Sequence, residues 1–246
     1  MNFRDLFGAV LDWIYPPVCV SCGAYGALIC ESCLSGLPPV GNHYCSKCGK
    51  PLMPKHHCRI CSRSDFRFLA SRAPYLYDGP VSAMIKSLKY RGTLGLVPVL
   101  SDLLTGYWER LKWDVDLVIP VPLSRKRRAE RGFNQSEMIA AAFAKKTGIR
   151  SRPEALMKTR DTLRQVGLSA QEREINLRGA FAAEPAFVRG KQVLLLDDVM
   201  TTGSTFAECS AVLLDAGARS VRCLSVATTP LQHGNNKAES AETLSS

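Results

Sequence analysis

Eight of the ten cysteines fall into four CxxC pairs: Cys19 and Cys22, Cys30 and Cys33, Cys45 and Cys48, Cys58 and Cys61, all before residue 62. A CxxC turn brings two thiolates onto one metal ion, and two such turns complete a tetrahedral four-thiolate zinc site. Seven residues separate the first pair from the second, and nine separate the third from the fourth. That order suggests two consecutive sites, although an interleaved pairing satisfies the same spacing. Gly23 and Gly49 follow the second Cys of the first and third pairs, as a knuckle turn favours. A segment of about sixty residues is too small for a full apolar core, so metal supplies the missing folding energy. The expected cofactor is therefore structural Zn2+, about two ions per chain, on these eight cysteines. A disulfide framework would require a secreted chain. Asp5 and Asp12 interrupt the apolar N-terminal stretch, and no small-residue cleavage site follows, which makes a poor signal peptide. His43, His56 and His57 read as bystanders among so many thiols, and Cys209 and Cys223 read as small buried hydrophobes.

The second informative stretch is residues 193–205. Val193, Leu194, Leu195 and Leu196 read as a buried strand, and Asp197 and Asp198 stand where it should emerge into solvent. Thr201, Thr202, Gly203, Ser204 and Thr205 follow, and then Phe206, Cys209, Val212, Leu213 and Ala216 recur at helical spacing up to Gly217. A strand that feeds a small-residue turn into a helix N-terminus makes an anion site, because free N–H groups and the helix dipole point at the ligand. The two acids would repel a phosphate, so they need sugar hydroxyls, reached directly or through a divalent cation. The site asks for a phosphorylated ribose. No GxxxxGK[ST] or GxGxxG spacing is present. The segment closely resembles the phosphoribosyl-pyrophosphate (PRPP) signature of type I phosphoribosyltransferases. That resemblance assigns Asp197 and Asp198 to the ribose hydroxyls, as the catalytic pair, and Thr201 to Thr205 to the 5′-phosphate.

Residues 66–231 alternate between strand and helix patterns, which argues for an α/β fold with a parallel sheet. Helices are expected over 80–90 and 97–112, a short strand over 117–119 and a last strand over 220–227. A further helix starts at Gln135, with Asn134 as cap and Glu137 three residues on, and stops at Gly148. The domain reading is 1–65 for an N-terminal helix and the zinc module, 66–232 for the large domain, and 233–246 for a polar tail expected to be disordered. Phe3, Leu6, Phe7, Val10, Leu11 and Ile14 form an amphipathic stripe, read as a helix packed on the rest of the chain. No run approaches the ~18 apolar residues of a membrane span. The net charge is +10, and Arg125, Lys126, Arg127, Arg128 and Arg131 form its densest cluster, diluted only by Glu130. This basic loop follows a strand end, where open α/β sheets bind ligands. It could clamp pyrophosphate, attract a nucleic-acid backbone or simply be solvated.

Three segments point further. They are the cysteine-rich N-terminus, Ile119-Pro120-Val121-Pro122-Leu123 through Arg131-Gly132-Phe133-Asn134-Gln135, and Arg164-Gln165-Val166-Gly167-Leu168-Ser169 followed by Arg173, Asn176, Leu177 and Gly179-Ala180-Phe181. With the PRPP signature, this layout resembles the ComF family over nearly the whole chain. The resemblance implies a double zinc ribbon joined to a type I phosphoribosyltransferase-like domain, PRPP bound with Mg2+, and a cytoplasmic role in natural transformation or the use of external DNA. Single-stranded DNA and proteins of the DNA-uptake machinery are the implied partners. Val121, Pro122 and Leu123 would form the pyrophosphate loop, with Arg125 beside it. Residues 158–168 would form a flap carrying Arg160 and Arg164. If transfer occurs, a nucleophile attacks C1 of the ribose as pyrophosphate leaves through an oxocarbenium-like state. The acceptor is not legible, and the alternative is a conventional nucleobase phosphoribosyltransferase of nucleotide salvage. Two further expectations concern packing. The acids should lie at a strand end outside the core, and a chelator should unfold the zinc module while sparing the large domain.

Overall fold

The computed structural model of the protein describes residues 16–54, 56–62, 64, 66–161 and 176–230. The amphipathic stripe, most of the flap with Arg164, and the polar tail lie outside them. In chain order the elements are α1 (Glu31–Ser35), β1 (Ser71–Arg72), β2 (Tyr75–Leu76), α2 (Gly79–Arg91), α3 (Leu96–Leu111), β3 (Leu117–Pro120), α4 (Arg125–Arg131), α5 (Gln135–Thr147), β4 (Arg150–Ser151), β5 (Leu156–Lys158), β6 (Phe181–Ala183), α6 (Pro185–Val188), β7 (Gln192–Met200), α7 (Ser204–Asp215) and β8 (Ser220–Thr228). A six-stranded sheet runs β1-β8-β7-β3-β4, with β2 also on β8. All its pairings are parallel, and β5 and β6 form a separate antiparallel pair.

Strand β7 shows why this sheet needs cover on both faces. Val193 and Leu195 point into one core with Ile119, Val221, Cys223 and Phe206. Leu194 and Leu196 point into another with Val118, Leu224, Val226 and the buried faces of α2, α3 and α5. A strand buried on both sides reads as a continuous apolar run, which is what residues 193–196 are. The strand does not end there. It continues through both acids to Met200, so Asp198 is 3 % exposed and lies inside the sheet layer. The expectation that the acids sit outside the core is corrected: pairing of Asp197 with Ser225 and of Val199 with Ala227 carries the ladder past them.

The caps of α5 are where the sequence puts them. Asn134 Oδ1 accepts from Ser136 N–H at 3.1 Å, and Gly148 ends the helix at φ 73°. Glu137 does not close a capping box; it pairs with Arg128 at 2.7 Å. The basic segment 125–131 is not a loop. Ser124 Oγ accepts from Arg127 N–H, Gly132 takes φ 82°, and between them α4 forms nearly two turns.

The cysteines gather as two consecutive groups, Cys19, Cys22, Cys30 and Cys33, then Cys45, Cys48, Cys58 and Cys61, with the ligand atoms of each within 4.8 Å of one another. The closest sulfurs stand 3.5–3.6 Å apart, far beyond a disulfide bond. In the second group, burial and neighbouring sulfurs push Cys61 up to about 12 and Cys48 higher still. Backbone amides of Cys48 and Lys47 act against burial and hold Cys45 below its ordinary value. Four thiolates this close together need a cation between them, which fits Zn2+. The two ribbons straddle the sheet. Cys19, Ile29 and Leu37 join the core of α2 and α3, while Cys45, Cys48 and Cys58 join the opposite core with Phe66, Phe68 and Met200. The zinc module therefore shares its apolar contacts with the large domain instead of standing apart. Among the described residues, no helix is long and apolar enough to cross a membrane. We expect about two zinc ions per chain by metal analysis, and a single unfolding transition that moves down as a whole when a chelator is added. Two separate transitions, with the upper one indifferent to chelator, would restore the picture of independent modules.

Candidate functional site

The C-terminal ends of β3 and β7 open on a cleft of about 990 Å³. One wall is Val121, Pro122 and Leu123, directly after β3. Its backbone is pinned from two sides: Val121 N–H donates to Leu196 O at 2.9 Å, and Val121 O accepts from Asn134 Nδ2 at 3.1 Å. The floor is Asp197 and Asp198, and the far end is the turn from Thr201 into α7. Gly203 caps that helix at φ 86°, in a region open to glycine, and a Cβ there would meet Phe66 at 3.2 Å. The turn thus sets Thr205 and Phe206, in the first turn of a twelve-residue helix, on the cleft, while the Ser204 N–H donates to Thr202 Oγ1 at 3.4 Å.

The acids are held by groups from two helices. Lys89 of α2 forms an ion pair with Asp198, the lysine side chain 19 % and the aspartate side chain 4 % exposed. Burial alone would neutralise both groups, but their mutual attraction holds Asp198 below and Lys89 above their ordinary pKa values. Asp197 Oδ1 accepts from Ser136 Oγ at 2.6 Å and from the Asp198 N–H at 2.9 Å. Burial, with the Asp198 charge beside it, pushes Asp197 up to about 7. One acid of the pair is thus a fixed anion and the other is poised to gain or lose its proton near neutrality. The pair does not fit a divalent cation bound directly by both carboxylates, because an ammonium already sits on Asp198.

A second support comes from the zinc ribbon. Lys50, next to the Cys48-Gly49 knuckle, is 1 % exposed and donates to Thr229 O and, at 2.8 Å, to Thr229 Oγ1. Thr229 N–H donates to Met200 O at 3.1 Å, and Ser71 Oγ donates to Met200 Sδ at 3.0 Å. A Cβ on Gly49 would stand 2.3 Å from Ser71 O, so the knuckle can approach only as glycine. The root of the turn from Thr201 to Thr205 is therefore braced by the second cysteine group.

Of the expected site residues, Val121, Pro122, Leu123, Asp197, Asp198, Thr201, Gly203 and Thr205 line this cleft. Thr202 and Ser204 do not; their hydroxyls bond each other at 2.9 Å. Arg125 does not line it either. Because 125–131 is helical, Arg127 and Arg131, four residues apart, share the face that looks into the cleft, while Arg125 faces solvent. Arg160 of the flap donates to the Asn176 and Arg178 carbonyls. Sequence reasoning missed Lys89, Ser136 and Lys50. Lys89 carried a signal, since it lies four residues after Ile85 on the buried stripe of α2. Lys50 and Ser136 carried none.

Two tests follow from this geometry. Asp197 keeps a proton when folded that the unfolded chain has already released, between its ordinary 3.8 and about 7. Its contribution to stability therefore falls as pH rises through that window. Melting temperatures at pH 5 and 8 should converge in Asp197→Asn relative to the parent; an unchanged difference would mean that Asp197 titrates normally. Replacing Lys50 with Met should speed hydrogen exchange of residues 200–206 by about tenfold, the loss of hydrogen bonds from a charged donor, with zinc content unchanged.

The double zinc ribbon domain matches residues 10–62. The chain is 32% identical over 220 residues to the DNA utilization protein YhgH of Escherichia coli O6:H1, covering 87% of this chain and 90% of that protein. It is 27% identical over 199 residues to the competence protein ComFC of Bacillus subtilis, covering 77% and 79%. Among solved structures, adenine phosphoribosyltransferase from Saccharomyces cerevisiae overlaps 57% of this chain and 72% of its own, at 16% identity and a TM-score of 0.37. Given the identity to YhgH over nearly the full length of both proteins, the chain belongs to the ComF family of DNA utilization and competence proteins.

Proposed function

We propose that this protein binds PRPP in the cleft between β3 and β7 and serves the use of external DNA, binding single-stranded DNA through its basic surface. One observation carries the PRPP reading. A buried acid pair, the start of a helix, and the 121–123 loop with Arg127 and Arg131 face one cleft. The 5′-phosphate would lie on the turn from Thr201 to Thr205, the ribose hydroxyls on Asp197 and Asp198, and the pyrophosphate between residues 121–123 and the two arginines. Mg2+ would arrive on the ligand's pyrophosphate, since Lys89 holds Asp198. The DNA role follows the names of YhgH and ComFC and the +10 charge. The cytoplasm and contact with uptake-machinery proteins belong to the same proposal. Nucleobase salvage is the second reading, favoured by the intact acid pair and the Thr201–Thr205 loop.

Removing both acids is a poor test. Asp198→Asn would strand the Lys89 ammonium in a buried site, at a cost of about 3 kcal/mol or more in stability. Asp197→Asn keeps the shape and the ion pair. Calorimetry with Mg2+–PRPP at pH 8, above the Asp197 titration at about 7, should show a parent that binds and an Asp197→Asn variant at least about tenfold weaker, the loss of a hydrogen bond to a charged acceptor. Equal affinity in both would sink the ribose assignment. Pyrophosphate release on adding one nucleobase would decide for salvage.

A further inference from the structure

The cleft does not stop at the acid pair. Past Lys89 its wall continues along Tyr77, Tyr90 and Arg91, and those same three residues form the near wall of a second hollow of about 520 Å³. That hollow carries Lys86 and reaches Val20, between the first two cysteines of the first zinc ribbon. The C-terminal half of α2 thus separates and joins two depressions, one ending at the ribose site and the other at a ribbon. Tyr90 stands on the divide. It is 75 % exposed, and the Arg131 guanidinium lies 5.7 Å from its ring centroid. A tyrosine ring left this open beside the mouth of a cleft is unexplained by packing: the buried residues of α2 are Val81, Met84, Ile85, Ser87 and Leu88. Outside the neutralised Lys89–Asp198 pair, the cations on these walls are Lys86, Arg91, Arg127, Arg131 and Lys158, while the acids are Glu130 and Asp197, the latter bonded to Ser136 Oγ. A cationic groove with an exposed aromatic ring in its middle suits a single-stranded polynucleotide, whose phosphates follow the charges and whose bases stack on the ring.

We propose that a bound single strand runs over the C-terminal half of α2, with one base stacked on Tyr90, between the acid-pair cleft and the Val20 edge of the first zinc ribbon. This rests on the DNA-binding reading above and gives it a place. It also has a chemical consequence. The stacked base would lie at the outer end of the cleft whose inner end is assigned to the ribose, so nucleic acid and PRPP would occupy one continuous depression. The basic helix α4 then contributes through its cleft face, by Arg127 and Arg131, and not through Arg125 and Lys126, which face solvent.

The test compares two oligonucleotides of equal length and charge, oligo(dT) and an abasic strand, on the full chain at low salt. Tyr90→Ala removes an exposed ring together with the contact the Arg131 guanidinium makes on it. Zinc content and melting temperature therefore serve as the folding check, and the abasic strand reports whether Arg131 still engages phosphate. We expect this variant to bind oligo(dT) about tenfold more weakly, the loss of one stacked base, and to bind the abasic strand as the parent does. Tyr90→Phe should bind oligo(dT) within about twofold of the parent, because stacking needs the ring and not the hydroxyl. The slope of affinity against salt should be the same in all three proteins, since no phosphate contact is lost. An equal effect on both strands, or none on either, would overturn the stacking site while leaving DNA binding in place. Failure of the parent to bind either strand would overturn the DNA reading itself, and the groove assignment with it. Free thymidine added as competitor separates the sources of the base: competition at millimolar concentration would show that Tyr90 accepts a lone nucleoside, whereas none would show that the phosphate chain is required to hold the base there.

Discussion

The ion pair between Lys89 and Asp198 is the interaction on which the site depends. A strand buried on both faces cannot carry two adjacent carboxylates without compensation, because an uncompensated buried charge costs several kcal/mol. The chain solves this with one cation from α2 and one hydroxyl from α5, Lys89 on Asp198 and Ser136 on Asp197. Each of these helices is thereby fixed against the end of β7. The same contacts that make the strand tolerable therefore set the shape of the cleft. They also divide the two acids in kind, one held as an anion and the other raised toward neutrality. Two carboxylates whose environments push their pKa values apart can do different tasks at one substrate.

The zinc ribbons belong to the same construction. Each covers a different face of the sheet, the first over α2 and α3 and the second beneath Met200 and the turn that follows it. A short cysteine-rich segment too small for a core of its own can cover another core only if metal fixes its shape. Here that rigidity is transmitted: Lys50 passes from the second knuckle to Thr229, and Thr229 and Ser71 meet Met200 at the root of the turn. Loss of the second metal would thus be felt at the ligand end of the sheet as well as in the ribbon.

Much of this was legible in the sequence. CxxC spacing gave two consecutive metal groups, because ligand chemistry is local. Residues 193–196 gave a buried strand and Asn134 and Gly148 gave the ends of a helix, because periodicity and caps are local too. The errors came where a distant partner changed the outcome. Nothing near residues 197 and 198 says that a lysine more than a hundred residues earlier will neutralise one of them, so the acids read as a solvated strand end. Dense positive charge hid the cap of α4 at Ser124, and with it the fact that Arg127 and Arg131 turn inward while Arg125 turns away. The pairing of Lys50 with Thr229 spans nearly the whole described chain and has no pattern to betray it.

The central claim is that the strand end, the hydroxyl turn and the 121–123 loop together form one phosphoribosyl site. A crystal structure of the protein grown with Mg2+ and PRPP tests it most directly. The account predicts the 5′-phosphate on the backbone amides after Gly203, the ribose hydroxyls on Asp197 and Asp198, pyrophosphate beside Arg127 and Arg131, and Lys89 still on Asp198. Clear density for PRPP elsewhere, or a cleft holding no ligand at saturating concentration, would contradict it.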